Sequence, residues 1–157
     1  MSGRLSAVAY RSVAYYEILA AAWSATVTYN GLARSNVRIP WPWALLILAA
    51  LTLVGGAGAM LLRRVEVGEI LTYVAQALQV PHIALGPLAF RFVAGLQASA
   101  VLSSGRVFYF VGFSTSITLW RPNAGSPSAI GVNFVPVVII VALACLPTPQ
   151  KVDPSAL

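Results

Sequence analysis

The chain has 157 residues, of which 59% are hydrophobic and 9% are charged, with a mean hydropathy of +0.81. Soluble domains carry about 25% charged residues, so this composition argues against a water-soluble domain and predicts a membrane protein. The formal charge of +6 is carried by basic residues spread singly or in pairs along the chain. Nucleic-acid-binding proteins cluster such charge on one face, so no nucleic-acid partner is expected.

The first half of the chain predicts two membrane-spanning helices. The first covers residues 12–33 and is long enough to span, although it contains Glu17. The second covers residues 39–62, has no charged residue, and is followed by Arg63 and Arg64. About 20 apolar residues cross the hydrocarbon layer, and Trp41 and Trp43 suit the lipid interface at its start.

Two further apolar segments are predicted to span. Residues 70–90 are uncharged but include Pro81 and Pro87, so a kinked helix is expected. The alternative is a helix lying in the interface up to Val80, followed by an irregular stretch. Residues 129–146 are rich in β-branched residues, yet their length favours a helix in lipid.

Residues 94–120 predict a β-hairpin, with Ser104 and Gly105 as a two-residue turn. If Ser103 faces Arg106, every pair on one face is apolar, whereas the opposite face is mixed. A one-residue slip would destroy that division. The apolar face is expected to pack on the helices or on a partner. A short fourth helix is the alternative interpretation of this segment.

These elements predict an all-α integral membrane protein with four transmembrane helices and a small surface β-hairpin between the third and the fourth. The chain is expected to form a single membrane domain over residues 1–157, a multi-pass protein of a cytoplasmic or inner membrane. The pair Arg63 and Arg64 favours a cytoplasmic N-terminus. Counted with this pair, the basic residues divide evenly between the two sides, so their distribution does not decide the orientation.

Glu17 is the acidic residue within a predicted span, and a carboxyl there suggests a functional site. Gln76 and Gln79 lie three residues apart and share a helix face. Together the three side chains are a possible polar path for a proton or cation. The competing interpretation makes Glu17 a structural group that pairs with a neighbouring helix or lies near the interface.

His82 is the only histidine of the chain, so it is the candidate axial ligand of a chlorophyll-type pigment or a haem. The structural alternative is that His82 bonds a backbone carbonyl beside the two prolines. No other cofactor and no metal site is expected, and lipid is the expected bound molecule.

No catalytic residue is predicted, because His82 has no acidic partner in the sequence and no phosphate-binding loop is present. Gly55 and Ala59 lie one helical turn apart and predict close helix contact. Aromatic residues of the hairpin are typical interface anchors, and those singled out are Phe108, Phe110 and Trp120.

Three functions remain open from the sequence. The preferred one is a non-enzymatic, structural accessory subunit of a respiratory or photosynthetic membrane complex, acting through helix packing and hairpin docking on other integral membrane subunits in the lipid bilayer. The second is a small transporter or channel component using Glu17 and the Gln76 and Gln79 face. The third is a pigment- or haem-binding subunit through His82.

Overall fold

The structure, a computed structural model, describes residues 2–35, 40–63, 65–85, 88–120 and 128–146. Within these ranges the chain forms four helices and four strands. The elements in chain order are α1 (Ser2–Ser35), α2 (Trp41–Arg63), α3 (Val65–Gln79), β1 (Pro81–Leu85), β2 (Leu88–Ser103), β3 (Arg106–Trp120), β4 (Ala129–Asn133) and α4 (Phe134–Cys145). The all-α prediction is therefore wrong, because an antiparallel sheet accompanies the helices.

The predicted multi-pass membrane topology is also wrong. Of the helices in the described residues, α2 alone is long and apolar enough to cross a membrane. α1 has the length but contains charged residues, while α3 has fifteen residues and α4 has twelve. The description as a component of a respiratory or photosynthetic membrane complex loses its support with the four predicted spans.

The third and fourth predicted spans each divide into a helix and a strand. In residues 70–90, α3 ends at Gln79 and β1 begins at Pro81, because proline disfavours a helical conformation in the residue before it. In residues 129–146 the first five residues form β4. α4 begins only after Asn133, whose side chain accepts a hydrogen bond from the Val135 N–H at 3.3 Å and caps the helix.

The hairpin has the predicted turn and register. Ser103 pairs with Arg106 and Leu96 with Phe113. Ser104 and Gly105 both have positive φ, of 50° and 72°. The two-residue turn whose twist matches that of the flanking strands requires positive φ at both positions. The hairpin begins earlier than predicted, at Leu88, and ends at Trp120 as predicted, and its strands belong to a four-stranded sheet of order β1-β4-β2-β3.

β2 changes its neighbour along one edge, and part of the sheet closes on itself. One edge of β2 pairs with β3 along most of its length, while the other edge pairs with β1 near Arg91 and with β4 from Ser99 to Ser103. β1 and β4 also pair with each other. Gly95 lies between the two pairings with a φ of +102°, a conformation that L side chains rarely adopt.

The helices pack closely through small side chains. One core cluster combines Ala21, Val54, Ala57 and Ala75 from the three long helices with residues of β2. At the point where α1 crosses Gly58 of α2, an added Cβ would lie 2.6 Å from the Ala14 carbonyl oxygen. This contact allows α1 and α2 to approach backbone to backbone.

Replacing Gly58 with Ala should therefore lower the free energy of unfolding by about 1–3 kcal/mol, because the added methyl group overpacks the α1–α2 contact. The matched control is Gly56→Ala on the same helix, where an added Cβ meets nothing within 4 Å. That change should raise stability by up to about 1 kcal/mol through helix propensity. Denaturant unfolding of both variants measures the effects, and equal shifts would contradict the proposed contact.

Candidate functional site

Glu17 is fully buried where α1, α2 and α3 meet. The Thr72 hydroxyl donates a hydrogen bond to its Oε2 at 2.9 Å, and the Gln76 amide Nε2 donates to its Oε1 at 3.0 Å. Thr72 and Gln76 are four residues apart, so they lie on one face of α3. α2 closes the third side, since an added Cβ on Gly58 would be 3.0 Å from the Glu17 Cβ.

The environment of Glu17 favours its neutral form. Burial raises the pKa of the Glu17 carboxyl from 4.5 to about 7, against the opposing effect of the hydrogen bonds from Gln76 and Thr72. No ion pair with Glu17 is present among the described residues. The carboxyl can therefore gain or lose a proton near neutral pH without leaving the helix interface.

Gln76 has an unused acceptor beside this carboxyl. Its Oε1 is buried and has no hydrogen-bond partner in the described part of the chain. Rotation of the amide would present that oxygen to a protonated Glu17, which has a hydrogen to donate. The ionised Glu17 carboxylate can thus accept a hydrogen bond from Gln76 Nε2, and the protonated carboxyl can donate one to Gln76 Oε1.

Gln79 does not join Glu17 and Gln76. It is buried, but its Oε1 accepts a hydrogen bond from the Ala94 N–H at 2.9 Å, and its Nε2 donates to the Ala75 carbonyl at 3.3 Å. The structure therefore brings two of the three predicted polar-path residues together and directs the third to β2. A proton or cation path through all three stays a prediction.

The bonds from Gln79 and two other side chains satisfy the backbone of β2 between its pairings with β1 and β4. The Leu96 N–H donates to the Tyr16 hydroxyl at 3.2 Å, and the Ala98 N–H donates to Asn133 Oδ1 at 3.1 Å. Ala94, Leu96 and Ala98 are alternate residues of β2, so their N–H groups point to the same edge of the strand. Neither Tyr16 nor Asn133 was singled out in the sequence, because the role of each depends on a distant segment.

His82 lies on β1 and is 6% exposed. It pairs in register with Arg91 of β2, and burial, followed by the charge of Arg91, lowers the pKa of its imidazole. Its Nε2 is buried and without a hydrogen-bond partner in the described residues. Ligation of a pigment or a haem by His82 stays a prediction. Among the described residues, no group of three or more His, Cys, Asp or Glu side chains could hold a metal ion.

The predicted contact residues lie in different places. Gly55 faces α1, where an added Cβ would be 3.1 Å from the Ala21 Cβ, whereas Ala59 is exposed. Phe108 and Phe110 are 57% and 47% exposed on β3. Trp120 ends β3, and its side chain lies outside the described part of the structure.

One face of the hairpin is apolar and largely exposed, and at its inner end the Phe113 ring is in edge contact with the Trp23 ring of α1, with 6.4 Å between the ring centroids. This apolar hairpin face is formed by Leu96, Ala98, Ala100 and Leu102 of β2 and by Val107, Tyr109, Val111 and Phe113 of β3. It was expected to pack on the helices or on a partner, but Tyr109 and Val111 are 80% and 78% exposed. The mixed face points inward instead on β2, where Gln97 and Ser99 are buried and hydrogen-bonded to each other at 2.6 Å.

Comparison with known proteins yields no match: no family model, no curated protein and no solved structure is similar to the chain. The chain's own residues and their arrangement are therefore the basis for assigning a function.

Stability should depend on pH through Glu17. The folded chain keeps the carboxyl proton up to about pH 7, whereas the unfolded chain loses it near the ordinary value of 4.5. The contribution of Glu17 is therefore complete below pH 4.5 and declines as the pH rises to 7, by about 3 kcal/mol in total. Glu17→Gln removes the titrating group and should abolish this decline, as measured by denaturant unfolding at a series of pH values.

The control for this measurement is Glu66→Gln, which changes an exposed carboxyl in the first turn of α3. This variant should retain the decline between pH 4.5 and 7. A Glu17→Gln variant with the same pH dependence as the wild type would show that Glu17 is not the group that titrates in this range.

Proposed function

We propose that this protein is a non-catalytic structural subunit that binds another protein subunit through the apolar hairpin face. The observation that carries the proposal is the exposure of this face, where large apolar side chains on two adjacent strands remain uncovered. Contiguous exposed apolar patches of this kind mark interaction sites. The partner that fits is a protein with a complementary apolar surface.

The chemistry of the hairpin supports a tight contact. Tyr109 and Phe113 are aromatic, the residue class that most often anchors interfaces. Residues 107–120 contain no charged side chain, so no charge opposes burial of the face. The edge of β3 away from β2 has no strand partner within the described residues, and an open edge lets a partner add backbone hydrogen bonds to the side-chain contact.

A non-catalytic role agrees with the positions of the two buried groups that are best suited to proton transfer. Glu17 lies between the helices and bonds Thr72 and Gln76, whereas His82 lies between strands opposite Arg91. A general acid and a general base must reach one substrate, and these two side chains occupy different layers. Glu17 instead accepts hydrogen bonds at the helix interface, and His82 lies in the sheet beside Arg91.

Val111→Lys tests the proposal, because a lysine at this 78% exposed position places a charge in the centre of the face with little effect on folding. The wild-type chain, purified from its source cells in mild detergent, should elute in an assembly larger than its own 16.6 kDa. The variant should bind its partner at least tenfold more weakly and elute at its own mass. Light scattering coupled to size-exclusion chromatography measures both masses.

Val8→Lys is the matched control. Val8 is 62% exposed on α1 and lies about 24 Å along the helix from Ser24, which contacts β3 through Thr115. The control should retain the assembly of the wild type. Loss of assembly in both variants, or a wild-type chain that elutes alone, would refute docking through the hairpin. Binding to protein-free liposomes in place of a protein would also refute it.

A further inference from the structure

A pocket of about 330 Å³ lies within the closed part of the sheet, where β1, β2 and β4 pair with one another. Its wall is mainly apolar and includes Ile83, Phe90 and Val101. The polar residues of its wall are His82, Arg91 and Thr118. A volume of this size is at the lower end of the range for small-molecule sites.

Arg91 brings a positive charge to this pocket without a neutralising partner. Its Nη2 donates to the neutral Gln97 Oε1 at 3.0 Å, and its Nε is buried with no partner in the described part of the chain. The described carboxylates lie elsewhere: Glu17 bonds Thr72 and Gln76, while Glu66 and Glu69 belong to α3. Arg91 is partly buried, and with no described carboxylate beside it the guanidinium retains donors that can bind an anion.

His82 adds a second nitrogen site opposite Arg91. The two residues are direct partners in the β1–β2 register, so their side chains leave the sheet side by side. Burial and the neighbouring guanidinium both lower the pKa of the imidazole, which favours its neutral form. The pocket therefore presents the guanidinium of Arg91 beside an imidazole whose charged form is disfavoured.

We propose that this pocket binds a small amphipathic carboxylate, with the carboxylate on Arg91 and the hydrocarbon chain against Ile83, Phe90 and Val101. A planar guanidinium matches a carboxylate in two parallel hydrogen bonds. A single positive charge balances a monoanion, whereas a dianionic phosphate would need further donors than this wall supplies. The apolar wall favours a ligand with a short hydrocarbon chain over an inorganic ion. This site is separate from the exposed hairpin face and does not depend on the proposed docking.

Titration of the purified full-length chain with hexanoate tests the proposal. Since the chain has one histidine, its imidazole signals in a nuclear magnetic resonance spectrum are identified without assignment. Hexanoate should shift them saturably, and calorimetry should give the same dissociation constant. Hexanol, which has the same chain without the charge, should bind at least tenfold more weakly.

Variants of Arg91 locate the anion. Arg91→Gln should weaken hexanoate binding tenfold or more, because a bond to a charged group is lost. Arg91→Lys keeps the charge without the planar fork and should bind with intermediate strength, which also separates lost binding from lost folding. The control is Arg106→Gln at the exposed hairpin turn, which should bind hexanoate like the wild type.

Three results would overturn the proposal. One is the absence of a saturable shift with hexanoate in the folded wild-type chain. Another is an equal loss of affinity in Arg91→Gln and Arg106→Gln, which would indicate general attraction to a positive protein. The third is tighter binding of inorganic phosphate than of hexanoate, which would assign the pocket to a different anion.

Discussion

The change of neighbour along one edge of β2 is the constraint on which the rest of the structure depends. That edge pairs with β1 up to Arg91 and with β4 from Ser99, and several backbone N–H groups between the two pairings have no strand partner. Side chains from three separate segments satisfy them: Tyr16 from α1, Gln79 from the end of α3 and Asn133 from the start of α4. A buried unpaired N–H costs about 1–3 kcal/mol, so these bonds attach the helices to the sheet with a defined geometry.

The same strand borders the two surfaces on which function is proposed. Beside one of its edges β1 and β4 pair with each other, and the pocket beside Arg91 lies there. On the far half of the hairpin the apolar hairpin face is exposed, while at its near end Phe113 contacts Trp23 of α1. The helix layer contributes a third feature, the carboxyl of Glu17 held by Thr72 and Gln76. Pocket, face and carboxyl occupy distinct parts of the fold.

The sequence predicted the elements whose signals are local. The hairpin turn and register followed from Ser104-Gly105 and from the alternation of side chains, and the second helix followed from its uncharged run. The errors came from two apolar segments, where the length of the run was given more weight than the residues inside it that end or begin a helix. Pro81 ends a helix and Asn133 begins one, yet both lie inside runs that look long enough to span a bilayer.

The candidate site was harder to predict, since its partners are far apart in the chain. Glu17 and Gln76 were recognised as unusual polar residues, but nothing local pairs them across 59 positions. The prediction that the apolar face of the hairpin packs on the helices or on a partner stays a prediction, while the face of β2 that is buried is the one that carries Gln97 and Ser99. Their mutual hydrogen bond and the bond to Arg91 make that polar face compatible with burial.

Asn133 has a consequence for the order in which the chain folds. The β2–β3 hairpin needs only a two-residue loop and can form within microseconds. The bond from Ala98 to Asn133 must wait for a segment 35 positions away, and the entropy of closing such a loop has to be met first. During synthesis the hairpin is therefore complete while the edge of β2 from Ala98 to Ser103 still lacks its partner. When β4 arrives it pairs with this part of the edge and protects it from pairing with another chain.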